Sequence, residues 1–340
     1  MKKIDAVKVG ETFNGDVILR FITIKGIIGG PTVAFVSGIH GNETSSIGGL
    51  LSFLEEFHQL IPEENMAGTL ITLPFANPLG IARCKRNVGV SCDNSEDLNR
   101  RFDGTHRKLS LSDRSATAIE KYLQKRNPNF VVDLHCMSSR SIPMVILDHL
   151  LSAENHYLET RVHMLASSTG LPIVHDFTEE QYVKNKLDMA LSARMLKNEI
   201  PSFTIEVPGG AFAQPSAMNL LRGTLWNMVR AVKMVVGINE LVEQYCLKPQ
   251  YDNSVPDATK PDKQFQRANG PIAERAGFFY PFAAAGEFAE KDKELGIIVG
   301  RTGNIVQKIK MPDYGCISSI TDASIVATGD ELFELLVPKK

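Results

Sequence analysis

The chain has 340 residues with 43 % hydrophobic and 22 % charged residues and a formal net charge of −2, values ordinary for a globular protein. Because there is no basic excess, we expect neither a nucleic-acid partner nor an anionic membrane partner. No window approaches the run of about 18 apolar residues that a membrane span needs, and no apolar stretch follows the N-terminal lysines. The five cysteines are odd in number and scattered, which argues against a disulfide framework and favours a cytoplasmic protein.

Short apolar runs alternate with longer helical patterns over the first two-thirds of the chain. Runs rich in Val, Ile, Thr and Phe predict buried strands at Pro31–Ser37, Thr69–Phe75, Phe130–His135, Met144–Leu147 and Phe203–Val207. Apolar residues at helical spacing predict helices at Glu43–Leu60, Ser112–Gln124, Ser152–Ser168, Val183–Lys197 and Gln214–Val236. This alternation predicts an α/β fold with a layered sheet.

The pattern changes after about Leu247. Lys248–Asn269 is polar and contains three prolines, which predicts a linker or surface loop. From Gly270 onward, short strand-like runs alternate with glycine turns, which is typical of a small β domain. We therefore expect a main domain at residues 1–250 and, at residues 251–340, the linker followed by a small β-sandwich or barrel-like domain.

The segment GIHGNE at residues 38–43 joins a predicted strand to a predicted helix. In an open α/β sheet, ligand sites form at such junctions. His40 and Glu43 are three residues apart, so one turn brings the imidazole and the carboxylate toward the same point. Gly38 and Gly41 leave the backbone free to bend there. Taken alone, such a pair is more often a helix cap or a solvated loop.

His135 closes the predicted strand FVVDLH. A histidine in that position is often a hydrogen-bonded core residue. Together with His40 and Glu43, however, it completes the set of two histidines and one glutamate that commonly holds a catalytic zinc with an open fourth position. The residues do not distinguish zinc from another divalent metal.

Glu206 interrupts an apolar strand just before a Pro-Gly-Gly turn. A carboxylate is costly to bury unless it is paired or functional, so Glu206 is either a general base or a strand-end acid paired with an arginine. Arg86 and the Asp97–Arg101 segment offer groups that bind carboxylates, and Asp97 could orient a metal-binding histidine. Each of these residues is also compatible with a solvated loop.

Together these segments resemble the succinylglutamate desuccinylase/aspartoacylase family, which is part of the zinc carboxypeptidase-like hydrolases. The matching segments are GIHGNE at 38–43, KRN at 85–87, DLNRRF at 97–102, DLHC at 133–136 and TIEVPG at 204–209. The resemblance implies a three-layer α/β/α zinc-carboxypeptidase-like catalytic domain with a mixed sheet, followed by a small C-terminal β domain.

The resemblance also implies roles for residues at the reaction centre. His40, Glu43 and His135 would bind one zinc ion per chain, and Glu206 would act as the general base toward a zinc-activated water. Arg86 would stabilise the oxyanion.

Further roles concern the substrate and the metal's surroundings. Asn99 and Arg100 would bind the free carboxylate of the amino acid, and Asp97 would support a zinc histidine. Two substrate-binding residues match less well. Arg194 would bind a side-chain carboxylate, although its spacing differs from the family's, and Tyr280 would enter the site from the β domain.

The expected function is hydrolysis of the amide bond of a small-molecule N-acyl amino acid. A zinc carboxypeptidase or peptidoglycan-peptide amidase would use the same metal and base, and a non-catalytic zinc- or ligand-binding protein is a further alternative. The sequence leaves open the acyl group and the amino acid, which could be glutamate, aspartate or a diamino acid such as diaminobutyrate. It also leaves open a homo-oligomer.

Overall fold

A mixed β-sheet of thirteen strands forms the centre of this protein in a computed structural model. The structure describes residues 2–89, 95–105, 110–149, 155–248, 256–257, 260 and 263–339. The helices are α1 (Thr44–Leu60), α2 (Pro78–Ala82), α3 (Leu111–Arg126), α4 (His156–Ser167), α5 (Glu179–Lys184), α6 (Leu191–Lys197), α7 (Pro215–Ala231) and α8 (Asn239–Glu243), with 3₁₀ turns at Glu63–Asn65, Leu98–Arg100 and Leu187–Met189.

The strands, numbered in chain order, are β1 (Lys2–Thr12), β2 (Gly15–Lys25), β3 (Ile28–Ser37), β4 (Ala67–Leu73), β5 (Val88–Gly89), β6 (Ser95–Glu96), β7 (Phe130–Cys136), β8 (Arg140–Ser141), β9 (Met144–Leu147), β10 (Ile173–His175), β11 (Ser202–Val207), β12 (Phe265–Asn269), β13 (Gly277–Pro281), β14 (Phe288–Ala289), β15 (Glu294–Val299), β16 (Ile305–Lys310), β17 (Gly315–Ile320), β18 (Ile325–Val326) and β19 (Phe333–Pro338). In the large sheet they follow the order β1-β2-β4-β3-β7-β11-β9-β10-β12-β19-β17-β14, and β8 pairs with β17. All five strands predicted in the first two-thirds of the chain are present.

Helices cover both faces of this sheet. On one face, α1, α4 and α7 bury Phe53, Val162 and Trp226 in a single apolar cluster. On the other face, α3 and α6 bury Ile119 and Met195. The central strands β4, β3, β7 and β11 run parallel. β4, β7, β11 and the second half of β3, from Val33, are almost wholly buried, as expected for strands covered on both sides. The three-layer α/β/α arrangement is therefore confirmed.

The C-terminal strands continue the main sheet. β9 runs antiparallel to β11, and β10 and β12 then run parallel to β9. β12 pairs with β19, which leads to β17 and β14, while β13, β15, β16 and β18 form a separate small sheet. Because β12 lies inside the segment 248–269, the loop interpretation is wrong for residues 265–269. The C-terminal strands thus reach the sheet that carries His135 and Glu206.

Some predicted helices differ from those in the structure. The helix predicted at Val183–Lys197 is two helices, α5 and α6, because Lys186 has a left-handed φ of 54° that ends α5. The helix predicted to reach Val236 ends at Ala231, just before Lys233 with a φ of 58°. Residues 152–154 of a predicted helix lie outside the described residues, and the β1–β2 hairpin was not predicted.

Within the described residues, no helix has both the length and the apolar character needed to cross a membrane. Four of the five cysteines lie in the described part of the chain, and all four are free.

Candidate metal centre and active site

The loop between β3 and α1 places His40 and Glu43 at the carboxyl ends of the central strands. Gly38 follows β3 with a φ of 69°, a conformation that favours glycine. A Cβ atom on Gly41 would lie only 2.0 Å from the carbonyl carbon of Gly80, so α2 packs at a distance that requires glycine here. Glu43 occupies the N-cap position of α1, and its carboxylate makes no capping hydrogen bond but faces His40 and His135.

His135 and Glu206 lie on neighbouring parallel strands. They are paired across β7 and β11, so their side chains leave the same face of the sheet. Asp133, two residues before His135, shares that face for the same reason. The strand register therefore brings a histidine and a carboxylate beside the loop that carries His40 and Glu43.

The two histidines and Glu43 converge on one point. Nδ1 of His40 and Nδ1 of His135 lie 3.0 Å apart, and they lie 2.7 Å and 2.8 Å from the two Glu43 carboxylate oxygens, respectively. All three residues are buried, and their ligand atoms lie within 4.8 Å of one another. The Cys136 backbone N–H donates to Glu43 Oε2 at 2.9 Å and holds the carboxylate in place.

The opposite ring nitrogens of these histidines face carboxylates. His40 Nε2 lies 3.0 Å from Asp97 Oδ1, and His135 Nε2 lies 2.9 Å from Asp133 Oδ2. An ionised carboxylate accepts only, so each Nε2 can donate to its carboxylate, which would leave each Nδ1 to offer its lone pair to a metal ion. The two Nδ1 atoms lie 3.0 Å apart and 2.7 Å and 2.8 Å from the Glu43 oxygens, so protons or a single cation must lie between these atoms. This donor set fits a divalent metal such as zinc.

Asp97 and Arg86 complete the outer side of this centre. Burial alone would raise the pKa of Asp97, but the hydrogen bond from His40 and the charge of Arg86 hold that pKa well below its usual range. Arg86 donates to Asp97 Oδ2 at 3.1 Å and to Glu43 Oε1 at 3.3 Å. The Arg86 side chain is about half exposed, at 46 %, so its guanidinium lies at the mouth of the site.

Glu206 lies in the same pocket without a hydrogen-bond partner. Its Oε2 is inaccessible to solvent and contacts no donor of the described residues. Burial raises the pKa of Glu206 to about 8; the neighbouring His135 opposes this shift and Glu43 adds to it. A carboxyl group with a pKa in this range can both accept and return a proton near neutral pH.

The sequence-family model of the succinylglutamate desuccinylase/aspartoacylase catalytic domain matches residues 29–232 of this chain. The chain belongs to this family. Membership supports an amide-bond deacylase, and the resemblance seen in the sequence is confirmed. No curated protein matches the sequence.

Solved structures show the same fold. One is a succinylglutamate desuccinylase/aspartoacylase from Rhodobacter sphaeroides, with 17 % identity and a TM-score of 0.75 over 99 % of this chain and 96 % of that one. Another is the product-bound ectoine utilization protein EutE (DoeB) from Ruegeria pomeroyi, with 18 % identity and a TM-score of 0.77 over 99 % and 95 %. A metallo-carboxypeptidase from Burkholderia cenocepacia matches 68 % of this chain and 64 % of its own, with 11 % identity and a TM-score of 0.54. These likenesses confirm the expected carboxypeptidase-like fold.

Asn99 and Arg100 line the pocket of this family member, but in different ways. The Asn99 amide nitrogen lies 3.3 Å from Asp133 Oδ2 and 3.2 Å from His135 Nε2, and its oxygen accepts from the Leu191 backbone at 2.9 Å. Asn99 therefore already has partners at both amide atoms. Arg100 donates to the Asn99 and Asn185 carbonyl oxygens, and no carboxylate of the described residues lies within ion-pairing distance of it. Arg100 is thus the better placed of the two to receive a substrate carboxylate.

The other two predicted substrate-binding residues lie outside the pocket. Arg194 donates to Glu120 at 2.6 Å, and this ion pair lies between α6 and α3. Tyr280 is 47 % exposed on β13, where its ring packs against Phe278. The structure therefore does not bring Arg194 or Tyr280 to the site, because one has a buried acidic partner and the other belongs to the small separate sheet.

Sequence reasoning missed five charged residues of the site. They are Asp133, Asp148, Asp176, Arg267 and Glu334. Two signals were available, since Asp133 and His135 have the two-residue spacing of one strand face and Asp148 directly follows a predicted strand. Arg267 and Glu334 become neighbours only through the pairing of β12 with β19, for which the sequence holds no local signal.

Proposed function

We propose that this protein is a zinc-dependent deacylase that hydrolyses the amide bond of a small N-acyl amino acid. The observation that carries the proposal is the convergence of His40, Glu43 and His135 beside Glu206. When bound to these three ligands, zinc would supply a Lewis acid for the scissile carbonyl and lower the pKa of a water molecule to about 7.

Glu206 would act as general base and then as general acid. It would take the proton from the attacking water and deliver it to the nitrogen that leaves. Its raised pKa supports both halves of this task, because a group that titrates near the working pH exchanges protons in either direction.

Two arginines would bind the charges of the substrate. Arg86, beside Glu43, would donate to the oxyanion that develops on the attacked carbonyl; removal of one such donor typically costs about 2.7–4 kcal/mol. Arg100 would bind the free carboxylate of the amino-acid half, since its guanidinium has no carboxylate partner among the described residues.

The volume and the walls of the pocket support the proposal of a small substrate. Its volume is about 240 Å³, below the 300–1,000 Å³ of typical ligand clefts. Arg267, Ser319 and Glu334 come from the C-terminal strands and close one side of it. A zinc carboxypeptidase needs a groove that admits a peptide, and these walls argue against that alternative.

The test is the rate at which the zinc-loaded protein releases free amino acids. We would compare Nα-acetyl and Nα-succinyl amino acids with dipeptides of the same C-terminal residue. The proposal predicts faster release from the N-acyl amino acids. Faster cleavage of the dipeptides would favour the carboxypeptidase, and zinc binding without any turnover would favour a non-catalytic binding protein.

A further inference from the structure

The small sheet of β13, β15, β16 and β18 is packed on one face only. Phe279, Ile298 and Val326 point from that face into the buried apolar cluster of the C-terminal strands. Successive side chains of a strand leave opposite faces, so the neighbours of these residues along the chain point outward. In an antiparallel sheet with one packed face, the outward side chains are normally polar. Several outward side chains of this sheet are instead large and apolar.

The strand register places four of these side chains in one row across the whole sheet. Ile325 of β18 lies opposite Phe278 of β13. Phe278 also lies opposite Val299 of β15, and Val299 lies opposite Ile305 of β16. Because directly opposite residues of antiparallel strands lie on the same face, this apolar row is continuous.

A second row with two aromatic residues adjoins the first. Tyr280 lies opposite Ile297, and Phe282 continues the alternation of β13 just beyond its end. The rings of Phe278 and Tyr280 pack on each other with their centroids 4.6 Å apart. We refer to the exposed residues of the two rows as the outer apolar face: Phe278, Tyr280, Phe282, Ile305 and Ile325.

The outer apolar face is large enough to form the centre of an interface between two proteins. Its residues are between 40 % and 73 % exposed. At about 200 Å² for a whole large apolar side chain, their exposed area is about 500 Å². A stable dimer buries about 800 Å² per partner, and in homodimers about 65 % of this area, again about 500 Å², is apolar. Single exposed apolar residues are ordinary, but a contiguous patch of this size is often functional.

The charges on the paired strands β15 and β16 do not select a partner of opposite sign. Glu294 lies opposite Lys310 and forms an ion pair with Lys308 at 3.2 Å. These three residues leave a single positive charge. Binding to an anionic membrane typically takes a cluster of about four to eight lysines and arginines. A nearly neutral, apolar face instead fits a partner surface of the same character, and a second copy of this chain presents one.

Lys308 and Lys310 also limit how two copies can meet. They lie on β16, which is an edge of the small sheet. Lysines on an edge strand disfavour edge-to-edge pairing with a second sheet. Two copies would therefore stack face to face, with about 10 Å between their small sheets, as in a β-sandwich. This arrangement buries the outer apolar face of both copies.

We propose that the outer apolar face binds the same face of a second copy of this chain and so forms a homodimer with twofold symmetry. In such a dimer both subunits contribute the same patch, so an apolar surface meets an apolar surface. Tyr280, which does not reach the pocket, would contact the partner subunit. The assembly needs neither a metal ion nor a substrate.

The first test is sedimentation velocity of the wild type and of two lysine variants. The wild type at micromolar concentration should sediment with twice the chain mass of 37.5 kDa. Ile325→Lys and Phe282→Lys each place an ammonium group in the apolar interface, where it loses its hydration, so each should raise the dissociation constant by at least about 30-fold. Far-UV circular dichroism checks that both variants are folded.

The matched control is Ile27→Lys. Ile27 lies between β2 and β3 and is 72 % exposed, against 73 % for Ile325, so the two changes replace equally exposed isoleucines. Ile27→Lys should dimerise like the wild type. A wild-type protein that stays monomeric, or a dimer that persists in both Ile325→Lys and Phe282→Lys, would overturn the proposal.

The second test needs no substitution. Hydroxyl-radical footprinting of the wild type measures the exposure of aromatic side chains at protein concentrations below and above the dissociation constant. Oxidation of Phe278 and Tyr280 should fall as the concentration rises. Phe13 and Phe212 are exposed elsewhere on the chain and should be oxidised equally at both concentrations. Protection of Phe13 or Phe212 in place of Phe278 and Tyr280 would assign the dimer to another surface and overturn the proposal.

Two further outcomes separate this proposal from its alternatives. A monomeric wild type that co-sediments with phosphatidylglycerol vesicles would assign the outer apolar face to a membrane and overturn the homodimer. The deacylase function is tested independently, because a dimer without turnover of any N-acyl amino acid would refute only that function. Turnover by a protein that is monomeric at every concentration would refute only the homodimer.

Discussion

The two ends of the pocket are built in different ways. The metal end takes its residues from short segments in which each side chain follows or closes a buried strand, as His40 and His135 do. The far end is assembled by the register of β9, β10 and β12, which brings together Asp148, Asp176 and Arg267 from three distant parts of the chain. The comparison shows that the candidate metal ligands are encoded by local sequence patterns, whereas the charged groups of the far end depend on long-range strand pairing.

The two ends also differ in the hydrogen-bond donors and positive charges that their carboxylates contact. At the metal end, Asp97 and Asp133 each accept from a histidine, and a cation would balance the remaining lone pairs. At the far end, Asp176 shares Arg267 with Glu334, while Oδ2 of Asp148 has no hydrogen bond by distance and angle among the described residues. The candidate metal ligands thus fit a resident cation, whereas the acids of the far end are partly neutralised by Arg267.

The largest effect should come from His135→Ala. Loss of one of three ligands leaves two, too few to hold zinc against solvent, so zinc content by elemental analysis should fall from about one per chain to near zero and activity should be lost. A chelator should have the same effect on the wild type, and added zinc should restore it. His58→Ala, at an exposed position of α1, is the matched control. Full zinc occupancy in His135→Ala would show that His135 is not a zinc ligand.

The next largest effect is expected for Asp133→Asn. An amide can donate to His135 Nε2 and so favour the wrong tautomer, which should weaken zinc affinity by about 10- to 100-fold. Competition with a chelator measures this affinity directly. Because the side chain keeps its shape, the thermal midpoint of the metal-free protein should change little. An unchanged zinc affinity would show that Asp133 has only a packing role.

Arg100→Ala and Arg194→Ala separate a pocket arginine from one outside it. Arg100→Ala should raise KM by about tenfold for substrates with a free α-carboxylate, since it removes a charged hydrogen bond. Arg194→Ala should leave KM unchanged but lower stability, because it leaves the buried Glu120 without its arginine. Steady-state kinetics and urea denaturation of both variants measure the two effects. A raised KM with unchanged stability in Arg194→Ala would instead support a role for Arg194 in substrate binding.

The smallest effect concerns the stability of the far end as a function of pH. The pKa of Asp148 is raised from 3.8 to about 7, so the folded state binds more protons than the unfolded state between these values. The stability contributed by Asp148 therefore falls as pH rises through this range. Asp148→Asn should remove that loss. At pH 8 its free energy of unfolding should exceed that of the wild type by on the order of 2 kcal/mol, and at pH 4.5 by much less. Urea denaturation of both proteins at the two pH values measures this, and an equal difference at both would contradict it.

The contrast between the two ends explains what could be predicted from the sequence. The central strands and the metal ligands were predictable because apolar runs and their terminal polar residues are adjacent in the chain. Arg267 could not be assigned to the site because the polar, proline-containing residues around it have the composition of a loop, whereas in the structure it lies on β12, between β10 and β19 of the sheet. Arg194 was assigned by its position relative to Glu206, but its ion pair with Glu120 depends on how α6 packs on α3, which the chain does not reveal locally.

The most direct test of the account is Glu206→Gln in the zinc-loaded protein. This change keeps the size of the side chain and removes the proton acceptor, so zinc content should stay at that of the wild type while kcat on the best N-acyl amino acid falls by about 10²- to 10⁴-fold. Glu240→Gln, at an exposed position of α8, should match the wild type in both measurements. A Glu206→Gln protein that retains both zinc and near-normal turnover would contradict the proposed mechanism.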